Sequence, residues 1–188
     1  VLETSGRVRP FSASALRDSL KCSLDVAAAC GVHAPVLVPG NIGERAARKN
    51  FRLSPEQVVQ VSNQWGFMLD QAVHYSFSEL LILGHPGKLA KLADGQWDTH
   101  SSQSSSAVPI VARLAEAILQ TPAVESPTVE GIFESLPEEK CRKLADALSA
   151  KIRAAVSGRP GVRQKPAVVL INMAGDILGA DGDLTPWQ

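Results

Sequence analysis

Leu81-Ile82-Leu83-Gly84-His85-Pro86-Gly87-Lys88-Leu89-Ala90 is an apolar run, a glycine turn and the start of a helical stretch. Three consecutive large aliphatics before a glycine read as a buried strand of a parallel sheet. Proline right after His85 suits the first position of a helix, where its missing N–H costs nothing. Val36-Leu37-Val38-Pro39-Gly40-Asn41-Ile42-Gly43-Glu44-Arg45-Ala46 repeats the pattern. A strand that runs through a glycine turn into a helix aims backbone N–H groups above the sheet. That is a ready place for an anionic or polar ligand.

Outward from these two segments, helix and strand patterns alternate. Ser12 reads as the cap of a first helix with Leu16, Leu20, Leu24 and Ala27 on one face, stopped by Gly31. Residues 34–39 form the first predicted strand, 40–43 its turn and 45–50 a short helix. Ser54-Pro55-Glu56-Gln57 carries a capping box and predicts a helix with Val58, Val61, Trp65, Met68 or Leu69, and Ala72 as its apolar stripe. Residues 79–83 are the second strand, followed by a helix to about Ala93 and a polar loop over 94–106. Further helices are predicted around Val108 to Ile118, near 124–136 and from Glu138 to about Gly158. Residues 167–171 form a third strand, which Ala174-Gly175-Asp176 turns into a hairpin with Ile177-Leu178. This alternation predicts an α/β fold: a Rossmann-like layered single domain over 1–188, its sheet mostly parallel with helices on both faces and an antiparallel C-terminal hairpin.

The 188 residues are 45% apolar and 20% charged with a formal net charge of +0, which gives no field for nucleic acid or an anionic membrane. No stretch reaches the ~20 apolar residues of a spanning helix. Cys22, Cys30 and Cys141 form no C-x-x-C pair and read as small buried hydrophobes of a reducing cytoplasm. Val1-Leu2-Glu3-Thr4 reads as the middle of a longer polypeptide.

Gly84-His85-Pro86-Gly87-Lys88 lacks the spacing and the Ser or Thr of a P-loop, and it is not a dinucleotide fingerprint. What remains is a glycine turn, a helix start and a lysine suited to carboxylate or phosphate, or else a tight turn with a solvated lysine. Gly40-Asn41-Ile42-Gly43-Glu44 makes the same offer with opposite charge, and Glu44 suits a helix's first turn with or without a ligand. Asp98-Thr99-His100-Ser101 reads either as a capping loop or as a site with His100 as a base near neutral pH. The serine-rich run after it is a loop or lid. His33 and His74 read as structural or surface residues, Trp65 as core, and no hydrolase triad or elbow is present.

Together these segments resemble the cobalt-precorrin-5B (C-1)-methyltransferase family of anaerobic cobalamin biosynthesis. The matching pieces run in order from Glu3-Thr4-Ser5-Gly6-Arg7-Val8-Arg9-Pro10-Phe11-Ser12 through Pro39-Gly40-Asn41-Ile42-Gly43-Glu44 and Val61-Ser62-Asn63. They continue through Gly84-His85-Pro86-Gly87-Lys88-Leu89-Ala90-Lys91-Leu92-Ala93 to Asp98-Thr99-His100-Ser101. The resemblance implies methyl transfer from S-adenosylmethionine to C-1 of a carboxylate-fringed tetrapyrrole, whose cobalt arrives with the substrate, so no protein metal site is expected. That reading makes His100, with His85 second, the candidate catalytic base, because they stand at the two polar turns. The resemblance places Thr4, Ser5, Arg7, Arg9, Gly40, Asn41, Gly43, Glu44, Gly84, Gly87, Lys88, Lys91, Asp98, Thr99 and Ser101 against substrate or cofactor, with Arg45 a further carboxylate partner. Members carry a further N-terminal region, so the chain reads as their C-terminal part, with that region or a second copy as a partner. The competing readings are a non-catalytic tetrapyrrole-binding module and a nucleotide- or phosphate-binding enzyme using Gly84 to Lys88.

Overall fold

In the computed structural model, residues 12–120 and 126–188 are described. Strands β1 (Val36–Val38), β2 (Val58–Gln60), β3 (Glu79–Gly84), β4 (Lys165–Ile171) and β5 (Ile177–Asp181) form one sheet in the order β2-β1-β3-β4-β5. The first four are parallel and β5 is antiparallel to β4. The expected α/β layering and C-terminal hairpin are therefore present, with Gly175 at φ +83° in the hairpin turn. This is a doubly wound order whose direction reverses between β1 and β3.

Alternation along the strands sorts the core into two layers. Leu37, Leu80, Ile82, Val168 and Leu170 face helices α1 (Ala13–Ala29), α3 (Trp65–Ala72), α4 (Pro86–Ala93), α5 (Val108–Leu119), α6 (Val129–Glu134) and α7 (Glu138–Ser157). Val36, Val38, Leu81, Leu83, Val169 and Ile171 face α2 (Asn41–Asn50) and Trp187. Among the described residues the second face is thus covered by one helix and the C-terminal turn, and Trp187 Nε1 ties that turn to the Ala34 carbonyl at 2.8 Å.

Three expectations are corrected. The helix predicted from Ser54 is a single 3-10 turn, Pro55–Gln57, then the edge strand β2, and only then α3. The capping box does form, but Val59 and Val61 are buried while Val58 and Gln60 are not. That period of two pairs with β1 and overrides the local helix signal. Asn41 to Gly43 are already helical, so the first glycine turn is shorter than predicted. Cys22 and Cys30 are exposed and only Cys141 is partly buried. Cys22 lies two residues from both Leu20 and Leu24, which puts it on the far side of α1 from the buried stripe. Leu16, in the same stripe by spacing, is 39% exposed.

Candidate functional site

The carboxyl ends of β1, β3 and β4 open onto a crevice of about 550 Å³ lined by Pro39, Gly40, Asn41, Ile42, Gly43, His85, Lys88 and Met173. It lies where the strand order reverses, the place where open α/β sheets take ligands, and its volume falls in the range of small-molecule sites. Both glycine turns are in it because β1 and β3 are neighbours. A Cβ on Gly84 would stand 3.1 Å from the Pro39 ring, and one on Gly43 would stand 2.9 Å from Val38 Cβ. These glycines let the two turns touch and let α2 sit directly on β1.

The two helix starts differ. At α4, His85 Nδ1 accepts from the Gly87 N–H at 3.0 Å, so the imidazole closes that terminus. The ring proton is then on Nε2, which donates to the Glu130 carboxylate. At α2 the cap is Gly40, which has no side chain, and no side-chain cap bond is made. The N–H groups of Asn41, Ile42 and Gly43 have no acceptor within the helix, and no described residue would come within 4 Å of a Cβ on Gly40.

The charged groups have an uneven distribution. Glu44 accepts from Gln60 Nε2 at 2.7 Å and from Arg48 at 3.0 Å, and these two partners, Gln60 first, hold its carboxyl below the usual range. Gln60 also reaches Asn41 Oδ1 at 3.2 Å. Lys88 Nζ donates to Asn63 Oδ1 at 3.0 Å. Burial, and then repulsion from Lys91, push the Lys88 ammonium below the ordinary lysine range. Lys91 is buried, 8% exposed, and donates to the Thr99 carbonyl at 3.1 Å and Ser104 Oγ at 2.8 Å.

Of the residues singled out in the sequence, Gly40, Asn41, Gly43, His85 and Lys88 line the crevice, and Gly84, Gly87 and Glu44 stand behind it. Lys91 is turned inward to hold the 98–104 loop on α4, and Arg45 is exposed on α2. Asp98, Thr99, His100 and Ser101 do not line the crevice. Asp98 accepts from Gln64 Nε2 and the His100 N–H, and His100 Nδ1 faces Ser102. Thr99 is buried and shares Asn63 Oδ1 with Lys88. Thr4, Ser5, Arg7 and Arg9 lie outside the described residues. Four contributors were not singled out as site residues: Asn63, Gln60, Glu130 and Met173. Only Asn63 had a signal, as it stood in a matched segment. Its neighbour Ser62 takes φ +54°, a strained conformation for a residue with a Cβ. Among the described residues no three His, Cys, Asp or Glu side chains gather as metal ligands, and no helix is long and apolar enough to cross a membrane.

Residues 98–182 match the family model described as CbiD, C-terminal domain. This segment belongs to the CbiD family. The resemblance read from the sequence is thereby borne out, and it extends along the whole chain. A cobalt-precorrin-5B C(1)-methyltransferase of Syntrophotalea carbinolica is 56% identical over 188 residues, all of this chain and 54% of the relative. Proteins of the same name from Methanocaldococcus jannaschii and Klebsiella pneumoniae are 34% and 33% identical over 96% and 98% of this chain, and over 51% of each relative. The chain spans about half the length of the curated relatives it matches. No solved structure matches it.

Proposed function

We propose that this CbiD-family chain is the C-terminal part of an enzyme that transfers a methyl group from S-adenosylmethionine to C-1 of cobalt-precorrin-5B, giving cobalt-precorrin-6A in the cytoplasm. The observation that carries the reading is the similarity along the entire chain to methyltransferases of that name. The crevice supports it, being concave, partly apolar and set at the switch point of the sheet.

In this reading the sulfonium–methyl bond breaks as the C-1–methyl bond forms. The electron pair stays on sulfur, and S-adenosylhomocysteine leaves. Most of the acceleration comes from holding donor and acceptor in line, which rigid strand ends and the Gly43 and Gly84 contacts favour. Any proton the macrocycle loses goes to a base. His85 is the histidine at the crevice and takes that role here in preference to His100, with Nδ1 as the accepting atom and the Gly87 N–H as the bond it gives up. Cobalt is carried by the substrate. The remaining length found in the relatives, or a second copy, is the partner of this single domain.

The test is to incubate cobalt-precorrin-5B and S-adenosylmethionine with this chain alone and with a polypeptide of the relatives' full length that contains it. Mass spectrometry should show one added methyl and stoichiometric S-adenosylhomocysteine with the full-length protein. Methylation only by the full-length protein would make this chain the binding half. No methylation by either would overturn the reading.

A further inference from the structure

We infer that the crevice between β1 and β3 is a carboxylate site, with Lys88 Nζ as the group that holds the anion. The inference rests on the function proposed above for the identity of the ligand, but not for its charge. The charge follows from how the neighbouring ions are paired. Glu44 is committed to Gln60 and Arg48, Glu130 to His85, and Asp98 to Gln64 and the His100 N–H. Among the described residues, Lys88 has only the neutral amide oxygen of Asn63. Lys91, three residues on and on the same face of α4, has among the described residues only a carbonyl and a hydroxyl.

Among the described residues, therefore, two neighbouring ammonium groups share one region with no acidic side chain paired to either. Burying cations without a counter-ion is costly. A protein that keeps such a pair beside an open cavity has left the counter-ion to the ligand. Lys91 is sealed in and sets the local potential. Lys88 lines the cavity and can reach into it. The uncapped N–H groups of α2 lie on the same cavity wall as Gly40 and add a second set of donors.

The geometry speaks against a phosphate cradle at the start of α4. A phosphate cradle at Gly84 to Lys88 would need the first N–H groups of α4, and the Gly87 N–H is already taken by His85. An ammonium on one rim, with no acidic partner among the described residues, and an uncapped turn on the other suit an anion whose oxygens reach both, as a carboxylate's two can. The proposed reaction has two sources of that group: the amino-acid end of the methyl donor and the acid side chains of the macrocycle.

The test is calorimetric titration of the chain with S-adenosylhomocysteine, its decarboxylated analogue, uroporphyrin as a carboxylate-fringed macrocycle, and inorganic phosphate. Lys88→Met should weaken at least one carboxylate probe about tenfold or more, the loss expected for one hydrogen bond to a charged group. Lys88→Arg should retain more of that affinity than Lys88→Met. Loss confined to S-adenosylhomocysteine, with its decarboxylated analogue insensitive to the substitution, assigns the site to the methyl donor. Loss for uroporphyrin assigns it to the macrocycle. Either supports the inference. Affinities of Lys88→Met within twofold of the parent, no binding of either carboxylate probe by the parent, or phosphate binding as tightly as the better of them would overturn it. If Lys88→Met does not fold, Lys88→Gln is read by the same criteria. A carboxylate loss here beside a failed methylation assay would overturn the proposed function and leave the site standing.

Discussion

Lys88 Nζ and Asn63 Oδ1 are 3.0 Å apart, and the same oxygen accepts from Thr99 Oγ1 at 3.3 Å. One neutral acceptor thus joins the helix after β3, the turn after β2 and the 98–101 loop. Asn63 positions the lysine without neutralising it. Asn63→Asp would give Lys88 the counter-ion that the ligand is proposed to bring. The expected outcome is carboxylate affinity at least about tenfold weaker, although every hydrogen bond to Lys88 is kept. Asn63→Ala should weaken it less. Titration with S-adenosylhomocysteine and uroporphyrin checks the order.

Gly179 sits where β5 passes under α7, and a Cβ there would stand 2.6 Å from Ala145 Cβ and 2.8 Å from the Asp146 nitrogen. One of those atoms is backbone and cannot swing away. Gly179→Ala should cost roughly 1–3 kcal/mol and lower the melting temperature by several degrees, read by circular dichroism. The crevice is on the other side of β4 from this contact, so ligand affinity below the transition should not change.

Much of the architecture was legible because its signals are local. Leu81 to Leu83 before a glycine and Pro86 right after His85 give β3 and α4 almost to the residue. Ser12 and Gly31 bracket α1, with the Ser12 hydroxyl accepting from the Ala15 N–H and Gly31 at φ +74°. What failed was non-local. The Ser54 capping box is real, yet only pairing with β1 shows that the next residues form an edge strand. The candidate site divided in the same way. Gly40, Asn41, Gly43, His85 and Lys88 meet because two similar turns fall on adjacent strands. Glu130 and Met173 come from elements dozens of residues away, and nothing in their sequence neighbourhoods marks them.

Trp187 is the cover of the thinner face of the sheet, 1% exposed and bonded through Nε1 to the Ala34 carbonyl at 2.8 Å. That carbonyl also accepts from Gln57 Nε2 at 3.0 Å. Trp187→Phe keeps most of the apolar area and drops one donor, so it should cost about 1 kcal/mol. Trp187→Ala opens a cavity in the core layer that holds Val36 and Val169 and should cost about 3–5 kcal/mol. Urea unfolding followed by circular dichroism distinguishes the two.

The lowered Lys88 ammonium makes a prediction in which stability and binding move in opposite directions. Its folded-state pKa is below the ordinary 10.5 because burial, then Lys91, penalises the charged form. In the window between the lowered value and 10.5, the unfolded chain binds more protons at this position than the folded one, so stability rises with pH there. Below the window the charge is a standing cost to the fold. Lys88→Met removes that cost, so near neutral pH the variant should unfold at an equal or higher urea midpoint than the parent. The parent should close the gap as pH climbs through the window. Carboxylate binding needs the ammonium, so the parent's affinity should fall over the same window while Lys88→Met stays weak and flat. Urea midpoints and calorimetric affinities measured on both proteins across that range read both trends. A Lys88→Met variant clearly less stable than its parent at neutral pH would show that the lysine serves the fold and not the ligand.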